Sequence, residues 1–283
     1  DKEFLVIRVG VGRQRPSVLV NAPEERFTLE EDNLLEEVYK VKEKYEYIDG
    51  MPITVSLKDN IVTSLISHST NKINFINSII LQLIVLNSSI DLKIVIMTDK
   101  ENEERWEFAK YLPHIFSEDK SVRFFSTDKS EAKIVSNYLE EELKERKELM
   151  RANDGVDINY VPMPYYLIIT DNYKDTKNIP IIDDIVNKNI GKIGFSLLVI
   201  ADSIKQVPIT STAFIETNEK DGVVINKNTG LNSQTIFYME RMEELDMKSI
   251  ALKLADIPVM SKDGPSVLPS SLAFLDMFGV SKV

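Results

Sequence analysis

The chain has 283 residues, of which 43% are hydrophobic and 28% charged, with a formal net charge of −11 and no cysteine. That length buries a substantial core, as one large α/β domain or two small ones, and the acidic balance gains nothing from counterion release on DNA or RNA. The lack of cysteine excludes disulfides, thiol catalysis, zinc ribbons and iron–sulfur ligation, and the two histidines, His68 and His114, leave little from which to build a zinc-hydrolase motif or a His relay.

FLVIRV (4–9) and SVLV (17–20) are β-rich runs separated by GVGRQRP, and read as a hairpin or two adjacent strands. TLEEDNLLEEVYKVKEKY (28–45) opens on Thr28 and an acidic first turn. Leu34, Leu35, Val38 and Val41 then recur at helical spacing. ITVSL (53–57) and IVTSLI (61–66) are short strands split by the turn signal KDN. From there the order is α/β. A helix over 72–87 precedes the strand LKIVIM (92–97). ENEERWEFAKYL (101–112) reads as a helix stopped by Pro113, and VRFF (122–125) as a strand. The helix over 128–150 has Asp128 and Glu131 at capping-box spacing, with the stripe Val135, Leu139, Leu143.

RANDGVDINYVPMP (151–164) is the best linker or exposed-loop candidate. After it come the strand YYLIIT (165–170), a helix near 180–188, strands over 194–201, 213–217 and 222–226, and a last helix over roughly 239–255. Short apolar strands alternating with helices imply a mostly parallel α/β sheet covered on both faces, with antiparallel additions at the edges. The longest apolar tract, Ile76 to Leu86, is broken by Asn77, Ser78 and Gln82, and a membrane helix needs roughly 20 apolar residues. No signal peptide is expected. The opening Asp1-Lys2 lacks an initiator Met, as expected of a piece of a longer polypeptide.

The stretch LISHSTNKINFINSIILQL (65–83) has the outline of a phosphate-binding loop: an apolar run, a short polar loop, a lysine and a helix. A working loop reads G-x-x-x-x-G-K-[ST]. Its glycines let backbone N–H groups turn toward the phosphate, and its hydroxyl holds magnesium. Counting from Lys72, the glycines are replaced by Ile66 and Asn71, and the hydroxyl by Ile73. Asn tolerates positive φ, which leaves Asn71 able to keep part of the turn. YYLIITDN (165–172) ends an apolar strand on Asp171, where an acid would orient magnesium. The next residue, Asn172, cannot act as a general base. A strand ending in Asp to start a turn explains Asp171 equally.

Gly10-Val11-Gly12 reads as a turn with no helix to follow it, and NIGKIG (189–194) is followed by a strand, so neither forms a phosphate site. Trp106, Phe108, Tyr111 and Phe116 form a helix end folded onto its own core or, alternatively, a groove. His114 beside Pro113 is then a packing or hydrogen-bonding residue. The acidic runs EEDNLLEEVYK and EEELKERKELM are solvated helix faces or an interaction face.

Several segments, in order from residue 4 to residue 280, resemble one family. FLVIRVGVG, YEYIDGMPITVSL, WEFAKYLPHIFSED, LLVIADS (197–203) and LPSSLAFLDMFGV are similar to runs of the FtsK/SpoIIIE-type ATPases of type VII secretion systems, the EssC/EccC family. Phe116 stands where that family usually has Trp. IILQL (79–83) falls at the family's usual distance after the P-loop lysine.

The resemblance implies a P-loop NTPase-like fold of FtsK/RecA type and the cytoplasmic segment between the membrane helices and the first full ATPase domain. Residues 1–50 would be strands and a helix leading in from the membrane side, 51–261 a degenerate ATPase-like domain, and 262–283 a connection to the next ATPase domain. A vestigial nucleotide site would comprise Ser69, Thr70, Asn71, Lys72 and Asp171, with no catalytic residue and no metal. No cofactor is expected in this domain, while the parent protein would use Mg-ATP. Implied partners are neighbouring ATPase domains of the same chain, membrane subunits of the machinery and, through the parent, exported WXG-type proteins. A ring oligomer at the cytoplasmic face of the membrane is implied, with no nucleic acid. The alternatives are a weak NTPase whose site is completed by a neighbouring domain or subunit, and a DNA-translocase module.

Overall fold

The computed structural model describes residues 3–16, 21, 23, 33–152, 161–188, 190–229, 233–240 and 244–258. The expected strand 17–20, the start of the first expected helix, most of the 151–164 linker and the 262–283 connection lie outside these residues.

β1 (Val6–Gln14), α1 (Asn33–Tyr45) and β2 (Ile48–Ser56) come first. β3 (Val62–Ser67) runs through a short loop into α2 (Lys72–Leu86), followed by β4 (Leu92–Met97). Two 3-10 helices, Glu103–Tyr111 and Pro113–Ile115, precede β5 (Phe125–Ser126) and α3 (Lys129–Ala152). Then come β6 (Tyr165–Thr170), α4 (Tyr173–Thr176), α5 (Pro180–Asn187) and β7 (Phe195–Ala201). β8 (Ala213–Thr217), β9 (Asp221–Asn226), β10 (Ser233–Tyr238) and α6 (Met247–Ala255) complete the described elements.

All ten strands form one sheet, in the order β2-β1-β10-β9-β8-β3-β7-β6-β4-β5. From β8 to β5 every neighbouring pair is parallel. From β8 to β2 every pair is antiparallel. Every residue of β3, β4, β6 and β7 is buried, so both faces of the parallel half are covered. This is why those strands read as mainly apolar runs. The antiparallel wing is larger than a pair of edge additions. It binds β1 and β2 into the same sheet as the rest of the chain, and the expected boundary at residue 50 falls inside β2.

Buried hydroxyls in β3 are all matched. Ser64 shares a hydrogen bond with Ser211 (2.7 Å), Thr63 donates to the Asn60 carbonyl (3.1 Å), and Thr217 donates to Ser67 Oγ (2.8 Å). α2 packs Phe75, Ile76, Ile79, Ile80, Leu83 and Ile84 into the core, the i, i+3/i+4 stripe expected of a helix lying on a sheet. α3 is fixed by its buried Arg146, whose guanidinium donates to the carbonyls of Pro164 (2.7 Å) and Ile193 (3.2 Å) and lies against the Tyr166 and Phe195 rings. The α3 start is capped as the spacing implied, with Asp128 accepting from the Ser130 and Glu131 amides. Glu131 reaches back to Thr127 rather than to Asp128.

Four sequence readings change. Gly10-Val11-Gly12 is not a turn but the middle of β1. A Cβ at Gly10 or Gly12 would collide with the carbonyl of Tyr238 or Ile236 on β10, so the glycines permit close strand approach. Residues 103–111 form a 3-10 helix rather than an α-helix. The strand near 122–125 shrinks to Phe125–Ser126 plus a bridge from Phe116 to Arg123. The last helix is confined to 247–255, and β10, which had no counterpart in the sequence reading, lies before it. Trp106, Phe108 and His114 are buried in a core cluster, while Tyr111 and Phe116 stay partly exposed. Among the described residues no helix is long and apolar enough to cross a membrane.

Candidate functional site

Parallel sheets place ligands in the crevice beyond the carboxyl ends of their strands. In this sheet that edge carries the loop 68–71 after β3, Asp202 after β7, Asp171 after β6, and Thr98 and Asp99 after β4. β7 lies between β3 and β6. Ser69, Thr70, Asn71 and Lys72 are therefore contiguous at one point of the edge, and Asp171 stands two strands away.

The loop's amides are occupied. The Ser69 amide donates to Ser67 Oγ (3.4 Å) and the Asn71 amide to Ser69 Oγ (3.0 Å). The Thr70 amide donates to Glu219 Oε1 (2.8 Å), and the Thr70 and Ser69 hydroxyls donate to Glu219 Oε2 (3.0 and 3.4 Å). Glu219 belongs to the turn between β8 and β9. Its carboxylate sits on the amide that a P-loop would turn to a phosphate, and the Thr70 N–H holds its pKa below the usual carboxylate value. Asn71 has φ −88° and does not cap the helix. The left-handed turn that it was free to supply is not made, and among the described residues only Leu5 and Lys120 are non-glycines with positive φ.

Lys72 is paired with Asp202 in a short ion pair. The pairing neutralises the charge that a nucleotide would need, and Ile73 at the next position is half exposed and offers no metal ligand. His68 lies 3.4 Å from Glu216 at the same rim.

Asp171 is engaged just as fully. Its side chain is 3% exposed. It accepts hydrogen bonds from Thr98 Oγ1 (2.7 Å), Trp106 Nε1 (2.9 Å) and the Arg105 guanidinium (3.2 Å). A carboxylate has about four acceptor sites, so three donors leave little for a metal, and a cation would have to compete with the guanidinium. Asn172 caps α4 by accepting from the Asp175 amide (3.3 Å), and its Nδ2 donates to Asp99 (2.8 Å). Among the described residues no group of three or more His, Asp or Glu side chains is arranged to hold a metal.

Sequence reading singled out Lys72 and Asp171 but not their partners. Glu219, Asp202 and Arg105 lie 149, 130 and 66 residues from the groups they bind. Nothing local marks an exposed glutamate as the occupant of a loop so far away.

No family model matches the chain. It is 23% identical over 284 aligned residues to the type VII secretion system protein EssC of Staphylococcus aureus (strain MSSA476), covering 99% of this chain and 19% of that protein. It is 22% identical to the ESX secretion system protein YukB of Bacillus subtilis (strain 168), covering 100% of this chain and 18% of that one. The chain thus spans about a fifth of the length of these relatives. Its fold is similar to the cytoplasmic domain of the Thermomonospora curvata type VII secretion ATPase EccC, with a TM-score of 0.57 at 12% identity, covering 90% of this chain and 31% of that one.

Proposed function

We propose that the chain, similar to EssC and YukB over nearly all its length, is a module of the FtsK/SpoIIIE-type ATPase family of type VII secretion, an ATPase-like module that no longer hydrolyses nucleotide. Its role is mechanical. It connects the membrane-embedded part of a secretion motor to the catalytic ATPase ring and passes conformational change between them during export of small helical WXG-type proteins. The place that suits this role lies between the membrane helices and the first full ATPase domain, on the cytoplasmic face. Neighbouring ATPase domains and the membrane subunits are its contacts.

The observation that carries this reading is the closed loop. An internal carboxylate, Glu219, takes the Thr70 amide, and Lys72 is spent on Asp202. A phosphate would have to displace both, with no magnesium-binding hydroxyl at position 73 to compensate. Isothermal titration of the chain with Mg-ATP tests it. No saturable binding and no turnover is the expected result. Micromolar affinity with turnover that Lys72→Ala abolishes would overturn it.

One observation favours a second reading, a weak NTPase completed by a neighbour. Glu219 is exposed and stands on a short turn, within reach of displacement by a docking domain. On that reading Glu219→Ala alone gains Mg-ATP binding. On the first reading it does not, because Lys72 stays paired and Ile73 still offers no ligand.

A further inference from the structure

The opposite edge of the parallel strands is finished differently. A cleft of about 810 Å³ opens beside the start of β4, within the size range of small-molecule sites. Ile90, Tyr111, Phe116, Met163 and Ile257 give it apolar walls. Lys93, the second residue of β4, also lines it, yet only 6% of this lysine is exposed.

Beyond the backbone ladder of β4, the Lys93 ammonium has no hydrogen bond or ion pair with any described residue. It is not sealed among the buried polar atoms that lack partners, so its outlet is the cleft. The surrounding charges do not balance it. Glu118 lines the rim of the same cleft, but it is exposed to water and acts on Lys93 through space, without an ion pair. His114, buried behind it, donates from Nε2 to the Asn87 carbonyl (2.9 Å), and burial drives its pKa down, so it is neutral at pH 7. Lys120 adds a second cation at the rim and is held at φ +58°, a left-handed conformation unusual for lysine.

A nearly buried cation is ordinarily matched by an anion within the fold. Among the described residues none forms an ion pair with Lys93, and the one carboxylate lining the cleft, Glu118, is exposed. We infer that the cleft is a binding site for a small amphiphilic carboxylate, whose apolar body lies on Ile90, Tyr111, Phe116 and Met163 and whose carboxylate pairs with Lys93. One buried ammonium balances one negative charge. A phosphate dianion between apolar walls would keep a second charge without a buried donor. A peptide would bring backbone amides to the same walls, where they would lose their water without replacement. Burial also depresses the Lys93 pKa, and a bound carboxylate would restore it.

The test is isothermal titration of the 283-residue chain with octanoate and with octan-1-ol, which share an apolar body and differ in charge. Octanoate is expected to bind one to one and octan-1-ol at least about tenfold more weakly. Lys93→Met should bring octanoate down to the level of the alcohol. A second measurement needs no variant. Acetylation of the native chain with acetic anhydride, mapped by mass spectrometry, should slow at Lys93 when octanoate is present and stay unchanged at Lys72. Equal binding of acid and alcohol, or no protection of Lys93, overturns the assignment. So does tighter binding of an apolar heptapeptide with a free C-terminal carboxylate, which would make the cleft a peptide site.

Discussion

The loop after β3 and the start of β4 each bring a lysine to the rim of the same sheet, and the two lysines are treated in opposite ways. Lys72 retains some solvent contact and has a dedicated carboxylate in Asp202. Lys93 is almost wholly buried and has none. Desolvation argues for the reverse, since it is the buried charge that most needs a partner. At the carboxyl edge, then, the fold pairs its polar groups with one another. At the amino edge it tolerates an unbalanced charge that adds nothing to stability. Self-satisfied polar groups point to a structural role, and an unsatisfied one points outward, to a ligand.

The comparison breaks most visibly at Asp171. If it is a structural acceptor, Asp171→Ala strands the Arg105 guanidinium and the Trp106 N–H, and should cost about 3–5 kcal/mol in urea unfolding. Magnesium should not alter the unfolding midpoint of the native chain. A loss near zero would mean that the acid is free for other work.

Lys93→Met should move stability the other way, by about 1 kcal/mol in favour of the folded state. Burial lowers the folded-state pKa of Lys93 below its ordinary 10.5. The penalty is therefore present while the folded lysine is charged, and it fades as pH rises through the folded value toward 10.5. Paired melts of native and variant protein at pH 7 and near pH 10 should show the gap closing. A gap that widens would reverse the argument.

The smallest effect belongs to Glu219. Its folded pKa is lowered, chiefly by the Thr70 amide, so its contact is complete above the ordinary carboxylate range and is lost as pH falls through the lowered value. Hydrogen exchange at the Thr70 amide should accelerate in acid, and Glu219→Gln should accelerate it at neutral pH without unfolding the sheet. Unchanged exchange would show that the loop is shut by other means.

Much of the parallel half is readable from local pattern. YYLIIT and LKIVIM are strands to the residue, because a strand buried on both faces is an apolar run with sharp ends. SQTIFY, by contrast, buries only Phe237. Its alternation is too faint to announce a strand, and its place in the sheet is decided by β1 and β9 on either side. The closed loop is half readable. The missing glycines and Ile73 are plain in the sequence, but what fills the loop depends on Glu219 and Asp202, brought there by the crossing order of the strands. Lys93 illustrates the converse. A lysine inside an apolar run reads as an ordinary surface position, and only burial distinguishes it.

The glycine-lined contact between β1 and β10 also governs how the chain is made. β1 ends at Gln14, and its neighbour begins at Ser233, roughly 220 residues later. At roughly 5–20 residues per second, the ribosome takes about ten to forty seconds to produce the strand that completes β1's hydrogen bonding. Through that interval the first strand has only β2 beside it, and its other backbone edge is open to wrong neighbours. β1 is therefore among the last strands of this sheet to be sealed, and a nascent chain stalled before residue 233 would expose that edge to aggregation.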